Sequence, residues 1–238
     1  MILLFFTLGV SFALLPDVKV LKSKYPVITI HSEDQDPEIK LVSKRPLHWM
    51  GLKDVSRSAV GAIVVSEDWA FYQHSGFDWN QIWESIEKNW NKKRYARGAS
   101  TITQQVVRNI FLDSDKNLWR KLKELYLAVR LEQNFNKQKI LELYLNIAEW
   151  GEGIYGIYAA SWHYFNKEPR DLTAKEGAFL ALLLPSPKRY SVSYRNQALT
   201  QYAKTTLESI LTKMVQAGFL DENEKDRQIQ QPLLFERQ

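Results

Sequence analysis

The chain has 238 residues, 45% hydrophobic and 25% charged, enough to bury a core as one large domain or one domain in two lobes, and too apolar for a disordered chain. Its net charge of +5 suits an anionic partner such as a membrane surface or a phosphorylated substrate, while no Lys/Arg tract is dense enough to favour nucleic acid. The lack of cysteine excludes disulfides and thiolate metal sites.

Met1 to Leu15 are apolar or small and uncharged, and Pro16 and Asp17 end the run. As a helix this stretch would be about 22 Å long, short of a hydrocarbon core of roughly 30 Å. It has neither the basic start nor the cleavage site of a signal peptide. Residues 1–16 are therefore expected to be a membrane anchor, the tail of a longer span. Lys19, Lys22 and Lys24 follow it and would hold that end cytoplasmic unless basic residues precede Met1. Residues 17–45, rich in proline and with only short β-prone pieces such as 27–30, read as a connector lying against a main domain at 46–238.

From Ser56 the pattern is helical. Ser56 can cap a helix through Val65, and Asp78 with Gln81 opens a capping-box-like start for one through Trp90. Trp79, Ile82, Trp83, Ile86 and Trp90 form a stripe on that helix, which suits either a core face or an interfacial helix at lipid headgroup level. Ser85-x-x-Lys88 has no partner motif in the chain and is read as chance.

Residues 97–109 are unusually rich in small and amide-bearing polar residues, closed by Arg97 and Arg108. Ile102, Val106 and Ile110 recur at four-residue spacing, giving a helix from about Thr101 to Phe111. The Ser100 and Thr101 hydroxyls then sit at a helix N-terminus, where unpaired N–H groups favour an anionic, sugar-like ligand. Thr101 and Gln105, one turn apart, would face one sugar, with Arg108 a further turn on. More helices are expected at 118–133, at 136–148 behind an Asn136 cap, at 157–165 after a Gly turn, and from the Thr173–Glu176 capping box to Pro185. The last runs over 196–217, with Gly218 as its stop. The fold class is mainly α.

Glu67-Asp68 stands at a helix end beside Trp69, Phe71 and His74. This is either a solvated charge pair or a desolvated carboxylate whose raised pKa suits general acid–base work. Arg120 and Lys121 lie one turn from Glu124, as ordinary ion pairs do. Asn146 ends Tyr-Leu-Asn before the Gly turn and can cap it.

The order of these blocks is more specific than any one of them. Glu-Asp-x-x-Phe-x-x-His-x-Gly-x-Asp at 67–78, Gly-Ala-Ser-Thr-Ile-Thr-Gln-Gln at 98–105 and Arg-Lys-x-x-Glu at 120–124 are followed by Lys-x-x-Ile-Leu-Glu-x-Tyr-Leu-Asn at 137–146 and by Gly156-Ile157, Ala159-Ala160 and Tyr164-Phe165. Together they resemble the peptidoglycan glycosyltransferases, the family 51 glycosyltransferases that also form the glycosyltransferase domain of class A penicillin-binding proteins. The run Asn146-Ile-Ala-Glu-Trp-Gly151, with no transpeptidase domain, looks like the monofunctional biosynthetic branch.

The resemblance implies a two-lobed, lysozyme-like helical domain on the outer face of a bacterial cytoplasmic (inner) membrane. It implies polymerisation of lipid II into glycan strands by inverting transfer, with release of undecaprenyl diphosphate. Glu67 would be the general base and Glu124 the second carboxylate, beside a donor diphosphate and bridged to it by Mg²⁺ or Mn²⁺. Asp68, Phe71, His74, Ser100, Thr101, Gln105, Arg108, Asn109, Arg120 and Lys121 would bind substrate or support the Glu67 loop. Lipid II, the growing strand, membrane lipid and other cell-wall synthesis proteins would be the partners. The family usually has Gly at position 99 and Lys at 108, where this chain has Ala99 and Arg108. The competing expectations are a lysozyme-like hydrolase or lytic transglycosylase, and a membrane-bound scaffold without activity, against which Glu67 and Glu124 argue.

Overall fold

A computed structural model of the chain describes residues 15–30, 37–79, 83, 100–113 and 117–237. The expected anchor, the conformation of Ala99 and most of the expected 78–90 helix lie outside these residues. Of the tryptophan stripe, Trp79 and Trp83 are described, and both are exposed, at 71% and 70%.

The expected connector is ordered around a small sheet. A 3-10 turn at Val18–Lys22, capped by Asp17, leads into β1 (Tyr25–Thr29). This strand pairs antiparallel with β2 (Glu38–Val42), Tyr25 opposite Val42 and Thr29 opposite Glu38. The β-prone piece at 27–30 thus becomes a strand, and the partner it finds was not expected from local pattern.

The remainder is mainly α. Helix α1 (Arg57–Glu67) starts where Ser56 accepts the Ala59 N–H, and its residues from Ala59 to Val65 are buried. Helices α2 (Ile102–Phe111), α3 (Leu118–Asn134) and α4 (Lys137–Ile147) pack on one another, α2 against both others. Thr101, Asn117 and Asn136 are their N-caps. The expected Gly turn is a short hairpin of β3 (Glu149–Gly151) and β4 (Ile154–Tyr155), with Gly153 at φ +70°. Helix α5 (Ile157–Phe165) follows.

Helix α6 (Ala174–Leu183) carries the expected capping box, is buried along its whole length, and crosses α1. The crossing is close: a Cβ on Gly177 would lie 2.4 Å from the Cα of Ala59.

Two short helices, α7 (Pro187–Tyr190) and α8 (Val192–Arg195), fill the stretch between the two expected helices, and the long helix α9 begins at Gln201 behind a Thr200 cap, later than the expected 196, and ends before Gly218, at φ +73°. It lies on α6 and α1.

Helix α10 (Glu222–Gln230) is almost wholly polar and therefore gave no apolar period. It is held by Lys175, whose backbone N–H donates to Gln228 Oε1 at 3.2 Å and whose ammonium donates to the carbonyls of Ile229 and Gln231. One continuous apolar core joins the α1–α6–α9 and α2–α3–α4 groups.

Candidate active site

Two elements meet at the acidic loop. Glu67 is the last residue of α1, and Asp68, its C-cap, is completely buried. The Asp68 carboxylate lies 2.9 and 3.0 Å from His74 Nε2, and its Oδ2 accepts the Ile102 N–H at 2.9 Å. His74 Nδ1 accepts from the Gly76 N–H at 3.2 Å, which places the ring proton on Nε2, facing Asp68. Phe71 is buried beneath this pair, its ring meeting His74 edge-on, with the Lys137 ammonium 4.5 Å from its centroid. Thr101 closes the loop from the other side by donating its hydroxyl to the Gly76 carbonyl at 2.7 Å. Gly76, at φ +104°, leaves no room for a Cβ, which would sit 3.0 Å from the Ala128 backbone.

This changes the expected reading of the α2 N-terminus. Thr101 and Gln104 form a capping box, so the Thr101 hydroxyl serves as a cap as well as a donor to Gly76, and it is 1% exposed. Thr101 is thus not free to face a sugar beside Gln105. The anion at this helix start is the protein's own Asp68, which takes the Ile102 N–H and satisfies both the orphan donor and the dipole. Asp68, His74 and Thr101 support the loop from within, their side-chain polar atoms committed inside the protein, and Phe71 packs beneath them.

Gln105 joins the acid to α4. Its Nε2 donates to Glu67 Oε2 at 2.9 Å, and its Oε1 accepts from the Tyr144 hydroxyl at 3.3 Å. Burial pushes the Glu67 carboxyl above the usual carboxylate range, and the nearby charge of Asp68 adds to this. The Gln105 hydrogen bond and then the Arg108 guanidinium oppose the rise. Burial, followed by the Glu67 charge, pushes the Tyr144 hydroxyl well above its ordinary value, so it stays protonated.

Arg108 and Asn109, one turn further along α2, line a cleft of about 750 Å³ together with Arg120, Ile28, Ile39, Glu149 and Tyr155. Glu67 is not part of that lining, but Arg108, which is, favours its ionised form. Arg120 donates to Glu124 Oε2 at 2.9 Å and Lys121 to Oε1 at 2.5 Å, and Glu124 is 1% exposed. Lys121 also donates to the Ser100 hydroxyl at 3.0 Å. Among the described residues Arg120 Nε is buried without a hydrogen-bond partner, a donor position an anion in the cleft could satisfy.

Both Glu124 oxygens are held by the Arg120 and Lys121 cations, so the protein offers a divalent ion no cage of its own; an ion shared between Glu124 and a diphosphate would draw its other oxygen ligands from phosphate and water. Among the described residues no group of three acidic or histidine side chains converges.

Sequence reasoning missed several contributors. Tyr144 lay within the 137–146 block, but its burial alone gave it no role. Glu149, raised by burial with Lys188 opposing, and the cleft walls Ile28 and Ile39 carried no local signal. Asn146 was expected to cap the Gly turn; instead its side chain pairs with Met50, accepting its N–H and donating to its carbonyl, each at 2.8 Å.

Residues 36–215 match the sequence profile of the family described as Transglycosylase. The chain is 36% identical over 181 residues to a biosynthetic peptidoglycan transglycosylase of Nitrosomonas eutropha, covering 76% of this chain and 72% of that one. It is 40% identical over 164 residues to one of Chromobacterium violaceum (69% and 70%) and 45% identical over 154 residues to one of Shewanella denitrificans (65% and 67%).

Proposed function

The chain belongs to the transglycosylase family, and from that membership we propose that it polymerises lipid II into peptidoglycan strands, with Glu67 as the general base. The observation that carries this is a desolvated carboxylate bonded to Gln105, one turn along α2 from the Arg108 that lines the cleft. The acceptor 4-hydroxyl oxygen forms a bond to the donor anomeric carbon with inversion. The bond from that carbon to the diphosphate oxygen breaks, and the hydroxyl proton passes to Glu67. A raised carboxylate pKa brings the base closer to the working pH and improves proton transfer.

Negative charge grows on the leaving diphosphate, and cations aimed there lower the barrier. Arg108 and Arg120 line the cleft, with Asn109 beside them. The Lys121 ammonium reaches Ser100 as well as Glu124, which ties both residues to the carboxylate that Arg120 also holds. Glu124 neutralises and orients that pair, and no step is routed through a divalent ion.

The two-lobed, lysozyme-like organisation and the seat on the outer face of the cytoplasmic membrane belong to the same proposal. The exposed Trp79, Trp83, Leu118, Leu122 and Tyr126 support a face at headgroup level. No helix among the described residues is long and apolar enough to cross a membrane; the single-pass anchor proposed at residues 1–16 rests on the uncharged, apolar run from Met1 to Leu15 in the sequence.

Incubation with lipid II followed by separation of the glycan products tests the reading. Long strands are expected, and Glu67→Gln should slow their formation by about 10²–10⁴-fold. Polymerisation by Glu67→Gln at the wild-type rate would overturn the base assignment, and shortening of preformed strands without polymerisation would make the protein a hydrolase.

A further inference from the structure

Gln105 presents one face of its amide to Glu67 and the other to Tyr144. An amide can turn by half a rotation, exchanging its donor nitrogen for its acceptor oxygen. An ionised carboxylate only accepts, so it is bonded only when Nε2 faces it, as here at 2.9 Å. A protonated carboxyl can instead donate to Oε1. The two orientations therefore favour opposite protonation states of Glu67. What distinguishes them is the Tyr144 hydroxyl, which donates to Oε1 at 3.3 Å from the interior of α4; with the amide turned, the hydroxyl could only accept from Nε2, and its own buried proton would lose the one acceptor it has among the described residues.

We infer that Tyr144 is a positioning residue that locks the Gln105 amide with its nitrogen toward Glu67, and so sets the lowest pH at which Glu67 can act as a base. The inference rests on the assignment of Glu67 as that base. Tyr144 is completely buried and its hydroxyl keeps its proton, so it is a donor throughout the working range. The other charged groups felt by Glu67 are Asp68, next to it at the end of α1, and Arg108 on α2. Neither is bonded to Tyr144, so replacing the hydroxyl leaves both charges in place.

The test is the pH dependence of lipid II polymerisation for wild type, Tyr144→Phe, Gln105→Ala and the double variant. Phenylalanine keeps the ring in the core and removes only the donor. The acid limb of Tyr144→Phe should move up by about one pH unit, a loss on the order of tenfold at a pH below the limb, with the rate recovering above it. The limb's position does not depend on how much of a variant is folded, so a packing defect that lowers the rate at every pH leaves it in place. The double variant should shift no further than Gln105→Ala, because the tyrosine acts through the amide. A wild-type limb in Tyr144→Phe, or a double variant displaced beyond Gln105→Ala, overturns the inference while a loss of activity in Glu67→Gln leaves the base assignment standing. Wild-type activity in Glu67→Gln removes the base assignment and the inference together.

Discussion

Asp68 Oδ2 accepts the backbone N–H of Ile102 at 2.9 Å, joining the end of α1 to the start of α2 across 34 residues of sequence. Its other oxygen faces His74 Nε2 at 2.9 Å. One buried carboxylate thus fixes the loop after Glu67 and the helix that carries Gln105 and Arg108, so the distance between base and cations is set by an interior group.

Removing that group should be costly. Asp68→Ala leaves the Ile102 N–H and the His74 ring without their acceptor, and a buried unsatisfied donor costs about 1–3 kcal/mol. A loss of about 2–5 kcal/mol is expected in urea unfolding, read from the midpoint at constant slope. Asp68→Asn should cost less, since its oxygen can still take Ile102, while its amide nitrogen opposes the His74 donor. An Asp68→Ala midpoint equal to wild type would show that the junction contributes no stability.

Glu67 should weaken the fold that it serves. Its carboxyl is raised in the native state, chiefly by burial, so the native chain binds this proton more tightly than the unfolded one. Its stabilising contribution is full below the unfolded value of about 4.3 and is lost as pH rises through the higher native value. Glu67→Gln should therefore melt above wild type at pH 7, with the gap closing as the pH falls to about 4. Each 1 kcal/mol of difference would move Tm by about 2–4 °C in a chain of this size. A variant that melts below wild type at pH 7 would contradict the desolvation argument.

Arg108 has two electrostatic roles, one toward the cleft and one toward Glu67. Arg108→Ala should lower kcat/KM for lipid II by about 10–100-fold, the equivalent of one hydrogen bond between charged groups. It should also move the acid limb to higher pH, because a cation that favours the ionised base is gone. Arg108→Lys keeps the charge and should stay within about tenfold of wild type with its limb unmoved. Equal losses for lysine and alanine would mean that guanidinium geometry, not charge, is what matters.

Gly177 makes the α1–α6 crossing possible. A methyl there would meet the Ala59 Cα at 2.4 Å, and overpacking of a core costs about 1–3 kcal/mol or more. The gain in helix propensity from Gly to Ala is only about 1 kcal/mol. Gly177→Ala should thus lower Tm, measured by calorimetry, and should slow polymerisation, because α1 must shift and it ends in Glu67. A higher Tm would mean that α1 yields at no cost.

Much of this could be read from the chain because helix caps are local. Ser56, Asn136 and the Thr173–Glu176 box stand where the sequence places them, within a residue or two of the helix starts. The Thr101–Gln104 box was equally legible, and overlooking it left Thr101 assigned to a ligand. What could not be read depends on distant partners. Asp68 fills the α2 N-terminus because tertiary packing carries it there, and β2 becomes a strand because β1 lies beside it. Helix α10 has too few apolar residues to announce itself and is recruited by Lys175. In the site, the acid and the cations were visible as residue types, but Tyr144 gained its part only through a bond 39 residues away in sequence.

The hairpin of β1 and β2 supplies Ile28 and Ile39 to the cleft, and the Met50–Asn146 pairing moors the segment that follows it to α4. A chain shortened to begin at residue 46 would keep the sequence of every helix, of the acidic loop and of its cations, but would lose the buried Val18 and Leu21 from the core. It would also present its cations to open water on one side, where their hold on a diphosphate is weakest. For this protein, then, helical content is a poor proxy for competence, and trimming guided by secondary structure would discard part of the working site.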